Sequence, residues 1–290
     1  MTTKFKTFEK ILNSGDFAIT AEIPPPVSAG ALELESKIDL LKGSVHAINL
    51  TDNAGANAHM SSLAAASIVL NKGIDPIYQI TCRDRNQIAI QSDLLAAHSL
   101  GINNILCMSG ESAKYGDHPN AKDVFDINSE ELIAIVTKLN NGYDYTDNKL
   151  DSETSFNIGA VVNPGADIVD RELKKFENKI KNGATFFQTQ AIYDPKTLES
   201  ITQITSGKSI KIFAGFIPIK SVKMANYLNT KVPGIHVPDN IINLMDKTSD
   251  PEKTCIEISK EIISEIKNMK GIDGIHIMAL GWEHLIPKFI

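Results

Sequence analysis

The sequence predicts an α/β protein folded as a single (β/α)8 TIM barrel over residues 1–290, and three observations carry that expectation. Short β-rich runs alternate with longer helical stretches along nearly the whole chain, eight times in all. The length, 290 residues, suits eight such units closed on themselves. No Gly-x-Gly-x-x-Gly turn follows an early strand and no Walker loop is present. An open, doubly wound dinucleotide-binding sheet would be expected to carry the first of these.

Taken in order, the expected strands are residues 17–22, 45–50, 76–82, 104–108, 156–162, 185–190, 210–216 and 274–278. Each is short and reads as apolar on both faces, as parallel strands between a barrel interior and an outer helical layer should be. Helices are expected over 58–72, 86–100, 129–139, 170–181, 194–205, 220–229 and 251–270, several opened by a Ser, Asp or Asn cap. Alternating units of this kind argue a parallel sheet. Two stretches break the rhythm. A long loop, 110–128, follows the fourth strand and belongs to the functional mouth of a barrel, while the polar stretch 140–154 follows a helix and belongs to the opposite face as a solvated insertion. Extra helical sequence precedes the eighth strand. No linker or internal repeat divides the chain.

Composition narrows the function. A formal charge of −6 offers no basic field to a phosphate backbone, so nucleic acid is not an expected partner. No run approaches the roughly 18 apolar residues of a membrane span. Residues 1–10 lack the apolar segment of a secretory leader. The expected location is therefore cytoplasmic, with no membrane partner. Cys82, Cys107 and Cys255 are far apart with no Cys-x-x-Cys, so neither a disulfide framework nor a metal site is expected. Redox chemistry would then need a bound organic cofactor or a partner protein.

Polar groups at strand C-termini converge on one mouth. Glu22 closes the first strand just before the rigid Pro24-Pro25-Pro26 segment. A carboxylate held there, partly desolvated, serves either as a general acid or as the partner of a nearby Lys or Arg. The second strand delivers Asn49, Thr51, Asp52 and Asn53, and the third delivers Gln79, Thr81, Arg83, Asp84 and Arg85. Such density suits a polar ligand, although caps and ion pairs use the same residues. Gly110 and Glu111 end the fourth strand, and Gly116-Asp117-His118-Pro119 follows either as a site element or as a Gly/Pro turn. By residue type alone, Lys179 reads as a solvated helical lysine. Gln190 brings an amide that can both donate to and accept from a heteroaromatic ring such as a pterin.

Together these pieces resemble the methylenetetrahydrofolate reductase family over most of residues 17–280. The carrying motifs are Ala21-Glu22-Ile23-Pro24-Pro25, Gln79-Ile80-Thr81-Cys82-Arg83-Asp84, Ser109-Gly110-Glu111, Gly116-Asp117-His118-Pro119, Val161-Val162-Asn163-Pro164-Gly165, and the run from Lys179 to Gln190. The resemblance implies a (β/α)8 barrel that binds FAD at its mouth and reduces 5,10-methylenetetrahydrofolate to 5-methyltetrahydrofolate. By matched position, Glu22 is the catalytic acid toward N10 of the folate, and Glu111 stands where the family usually has an aspartate near flavin and pterin. Gln190 and the helix residues Met224 and Leu228 match substrate-binding positions. Thr51, Gln79, Ser109, Gly110, Asn163 and Lys179 match cofactor-binding ones, Lys179 at the FAD phosphates.

Several positions depart from the pattern. Gln79 stands where many relatives have histidine, Asn163 where some have tyrosine, and Ser109 where some have arginine, changes expected to loosen FAD binding. Met224 and Leu228 replace a glutamine and a phenylalanine used for folate and nicotinamide, leaving an apolar floor without an aromatic stacking surface unless Tyr227 turns inward. NADH or NADPH is one expected electron donor, and an electron-transfer protein is the other. Two alternatives stand beside the reductase: a folate- and FAD-binding subunit active only with such a partner, and a cofactor-free barrel lyase with a Schiff-base lysine. The sequence leaves a homo-oligomer open.

Overall fold

The computed structural model describes residues 7–290. The opening six residues, which contribute to the leader-free start expected above, lie outside the described residues. Eight parallel strands close a barrel in chain order: β1 (Ala18–Ile23), β2 (Ala47–Leu50), β3 (Asp75–Thr81), β4 (Asn104–Met108), β5 (Asn157–Val162), β6 (Phe186–Ala191), β7 (Lys211–Phe216) and β8 (Gly274–Ile277). The last strand returns to the first, with Ala18 opposite Gly274 and Ala21 opposite Ile277. The expected (β/α)8 fold is therefore the observed one.

The barrel is preceded by α1 (Phe8–Ser14), and α2 (Leu32–Leu41), α3 (Ser62–Asn71), α4 (Gln87–Ser99), α5 (Ser129–Asn140), α6 (Val169–Lys181) and α7 (Glu199–Thr205) follow the first six strands. The helical insertion before β8 consists of α8 (Val222–Lys231), α9 (Asp239–Lys247) and α10 (Pro251–Asn268), and α11 (Ile286–Phe289) ends the chain. Caps set several helix starts. Asn86 accepts from the amides of Ile88 and Ala89 at the start of α4. At α5, Asn128 and Glu131 form a reciprocal capping box. Each such cap contributes about 1 kcal/mol.

Two apolar shells hold the barrel. Outward side chains such as Ile48, Tyr78, Ile105, Phe187 and Ile275 pack beneath the helices. Inside, Ala18, Ala47, Ile77, Leu106, Phe186 and Phe213 fill the end opposite the mouth, and Phe8 of α1 completes them. Phe8 is fully buried. Its ring centroid lies 5.7 Å from that of Phe186 and 5.6 Å from that of Phe213. The Phe8 amide donates to Asp75 Oδ2 at 2.6 Å.

The expectation of strands apolar on both faces is corrected. Thr20, Asn49, Gln188 and His276 are buried inside the barrel above the phenylalanines. They are tolerated because they satisfy one another. Asn49 Nδ2 donates to Gln188 Oε1 at 2.8 Å, and Gln188 Nε2 donates to Asn49 Oδ1 at 3.0 Å. The stretch 140–154 is also more than a solvated insertion. Tyr143 bridges Lys149, Asp144 Oδ1 accepts from the amides of Thr146 and Asn148, and the Tyr145 amide donates to Gln91 Oε1 at 2.8 Å, pinning the hairpin to α4.

Candidate active site

Strand alternation sends every second side chain inward, so Thr20 and Glu22 share one face of β1, as do Asn49 and Thr51 at the end of β2. At the strand C-termini this produces a cleft of about 860 Å3, within the range of small-molecule sites. Its walls include Glu22, Thr51, Gln79, Ser109, Gly110, Glu111, Asn163, Lys179 and Gln190. The structure thus brings together the expected catalytic and cofactor residues, with Gln190 from the expected substrate set.

Glu22 sits with its side chain 17% exposed. Gln79 Nε2 donates to Glu22 Oε2 at 3.0 Å, and His276 Nε2 lies 3.7 Å from the same oxygen. Among the described residues, neither a lysine nor an arginine forms an ion pair with it, unlike the alternative drawn from sequence. On its far side, His276 Nδ1 is 2.9 Å from Thr20 Oγ1, which also receives Gln188 Nε2 at 3.5 Å. The Thr20 hydroxyl donates to Ile275 O at 3.4 Å, so this hydroxyl ties the imidazole to the strand backbone and to Gln188. His276 and Gln188 escaped the sequence reading. Their signal was available in the polar positions inside His276-Ile277-Met278 and Gln188-Thr189-Gln190, where residues two apart share a face.

A bulge in β6 sets Gln190. The β6/β7 register shifts between Gln188 and Ala191. The backbone there runs so close to Gly215 that a Cβ on Gly215 would lie 2.2 Å from Thr189 O. Only glycine fits this approach, and the bulge re-aims the side chains beside it. Gln190 Oε1 accepts from the Ala191 amide at 3.0 Å, and its Nε2 has no partner among the described residues.

On the other wall, Thr51 is 5% exposed. Its buried hydroxyl lacks a hydrogen-bond partner among the described residues. Lys179 is buried, and its Nζ donates to Val161 O at 2.7 Å, with no carboxylate in ion-pair distance among the described residues. Burial lowers its pKa, only partly opposed by the charge of Glu172. The expected solvated lysine is therefore a desolvated cation in the cleft wall. Ser109 and Glu111 are exposed at the rim. Asn163 spends both ends of its amide on structure, donating to Pro233 O and accepting from the Gly165 amide.

Other expected ligand groups bind each other. Asp52 Oδ2 accepts from the Thr81 amide and hydroxyl, and Arg85 clasps the Asp52 carboxylate at 2.7 and 3.1 Å. In the long loop, Asp117 accepts from the Ala58 amide, and Gly116 lies against Ala56 O with no room for a side chain. The Gly116–Pro119 stretch therefore latches two loops together. Met224 and Leu228 are not brought to the cleft: Leu228 is 4% exposed in the outer core, and Met224 packs against that core. Among the described residues, no Phe, Tyr or Trp lines the cleft.

A family model described as methylenetetrahydrofolate reductase matches residues 7–290. Methylenetetrahydrofolate reductase 1 of Schizosaccharomyces pombe is 24% identical over 295 residues, covering 97% of this chain and 46% of that protein, so the chain spans about half the length of that curated relative. Among solved structures, a protein from Clostridium thermocellum described as binding two copies of 5-methyl-5,6,7,8-tetrahydrofolic acid superposes with a TM-score of 0.64 at 16% identity, covering 97% of this chain and 96% of that one. A 2,3-dimethylmalate lyase superposes with a TM-score of 0.54 at 10% identity, covering 94% and 79%. At such identities the two structures are similar in fold alone.

Proposed function

Because the chain belongs to the methylenetetrahydrofolate reductase family, we propose that it binds FAD and a folate at the barrel mouth and reduces 5,10-methylenetetrahydrofolate to 5-methyltetrahydrofolate. The observation that carries this reading is the Glu22 carboxylate in the cleft, anchored through Oε2 by Gln79 and backed by His276. The description of the Clostridium thermocellum protein as a binder of methyltetrahydrofolate supports the ligand class.

The donor set suits FAD. Among the described residues, Thr51 offers a buried hydroxyl without a partner, and Lys179 offers a buried cation whose hydrogen bond goes to a neutral carbonyl, the kind of group a phosphate neutralises. Gln79, Ser109, Gly110 and Asn163 complete the proposed cofactor wall. When bound, FAD supplies the hydride for the reduction.

The chain's own residues then have separate tasks. Among the described residues Glu22 Oε1 has no hydrogen-bond partner, which leaves it as the oxygen that would serve N10 as the folate ring opens. His276, held against Thr20, keeps its Nε2 3.7 Å from Oε2 and backs the carboxylate. Gln190 orients the pterin through its free amide nitrogen. Glu111 places a negative charge at the rim, favouring cationic states of the substrate.

A second reading, a subunit whose flavin is reduced by an electron-transfer protein rather than by NADH or NADPH, draws support from Met224 and Leu228. These residues pack with the core and leave the cleft without an aromatic platform for a nicotinamide. Anaerobic visible spectra of the FAD-loaded protein separate the readings: bleaching by NADH or NADPH supports a self-sufficient reductase, and an unreduced flavin supports a partner. Glu22→Gln is expected to keep FAD and its reduction by donor while losing methylenetetrahydrofolate turnover. Turnover retained in that variant would remove Glu22 from the mechanism.

A further inference from the structure

The loop after β2, which walls the cleft next to Thr51, has an unusual backbone. Asn53, Gly55 and Ala56 have φ of 49°, 62° and 59°, in the left-handed region that residues bearing a Cβ rarely occupy. Such a conformation persists when its surroundings over-determine it. The loop's far end is held by Asp117, which accepts from the Ala58 amide, and by Asn53 Oδ1, which accepts from the His59 amide, while its near end is held by Arg83. Arg83 is 3% exposed, and its Nε and Nη2 clasp Asp84 at 2.7 and 2.6 Å. Nη2 also reaches Asn53 O at 3.3 Å and Asp52 O at 3.5 Å, while Nη1 reaches Glu111 O at 3.3 Å. Asp84 completes the circuit by accepting from Asn53 Nδ2 at 3.1 Å.

We propose that Arg83 is a positioning residue for the cofactor side of the cleft: its guanidinium bolts together the loops after β2, β3 and β4, and so sets Thr51 and the Ser109–Glu111 rim at the spacing FAD requires. The proposal rests on the reading of the cleft as an FAD site. The contacts of Arg83 run to loops at the mouth, and the two apolar clusters that hold the barrel pack without it. A planar five-donor fork is needed to reach a carboxylate and several carbonyls in different directions at once, which a lysine ammonium cannot reproduce. Arg83 also packs where the rim begins, since a Cβ on Gly110 would lie 3.2 Å from Arg83 Cβ.

The test is FAD titration of full-length apoprotein, followed by flavin fluorescence, for wild type, Arg83→Lys, Arg83→Gln, Asp84→Asn and the Arg83→Gln/Asp84→Asn double variant, with the melting temperature of each apoprotein. Arg83→Lys and Arg83→Gln are expected to weaken FAD binding by about tenfold or more, as misplacing a binding wall does. Because Arg83 is buried, the apoprotein melting temperatures should fall by a few degrees, with the loss of FAD affinity across the variants not scaling with that fall. The double variant should bind no more weakly than Arg83→Gln, because both changes break one unit. Wild-type affinity in Arg83→Gln overturns this proposal alone, as does a loss of affinity that merely tracks a fall in melting temperature. A wild-type protein that binds no flavin overturns the functional reading and this proposal with it.

Discussion

Lys179 shows how one residue can be misread from its type and corrected by its surroundings. In sequence it is one lysine in the charged helix α6; in the structure its stem is buried and its ammonium meets a carbonyl rather than a carboxylate. Burial holds its pKa below the ordinary lysine value, so the folded chain binds this proton less tightly than the unfolded chain does. Stability therefore rises with pH across the interval between the lowered folded value and the ordinary one. Phosphate attraction runs the other way, because only the cation provides it. Lys179→Met is accordingly expected to raise apoprotein stability by about 1 kcal/mol while weakening FAD binding. Titrations over alkaline pH should show wild-type FAD affinity falling as Lys179 deprotonates, and no such step in the variant. Glu22 was legible because a proline run marks the end of its strand. His276 was not, since its importance lies in being opposite Thr20 and Glu22, on a strand more than 250 positions away.

At the scale of single elements, the eight strands were legible to within a residue or two at most ends, because buried parallel strands leave local patterns, whereas α2 and α9, which lack a side-chain cap at their starts, fell outside the expected helices. The β6 bulge left no such pattern. Gly215 sits in Phe213-Ala214-Gly215-Phe216, which reads as an ordinary buried strand, and the reason for glycine is the backbone of a neighbouring strand. Gly215→Ala is expected to destabilise the fold by about 2 kcal/mol, since its methyl would meet carbonyl oxygens rather than a side chain that can turn away. The same change should flatten the bulge and move Gln190. Folate affinity measured on the FAD-loaded variant should then fall more than FAD affinity does. Equal loss of both would mean that the bulge does not set the folate side.

The barrel as a whole was legible from the number of units and the length that holds them, but its closure at the lower end was not. Helix α1 precedes the first βα unit, outside the rhythm that revealed the rest. Its Phe8 meets Phe186 and Phe213, positions that no local pattern connects. Phe8→Ala is expected to cost about 3 kcal/mol, measured by denaturant unfolding, because the cavity would open among rings fixed by the strands around them. The helix is thus part of the barrel's core rather than an appendage to it.

The plug of Phe8, Phe186 and Phe213, with the Asn49–Gln188 amide pair above it, closes the lower end of the barrel among the described residues and leaves the cleft at the strand C-termini as the way in. A molecule lying against the floor cannot depart past another seated over it, and nothing can be pushed through from behind. Traffic in such a blind well is last in, first out. If an electron donor and a folate both need the innermost place, they must take turns there, and each visitor must clear the entrance before the next arrives.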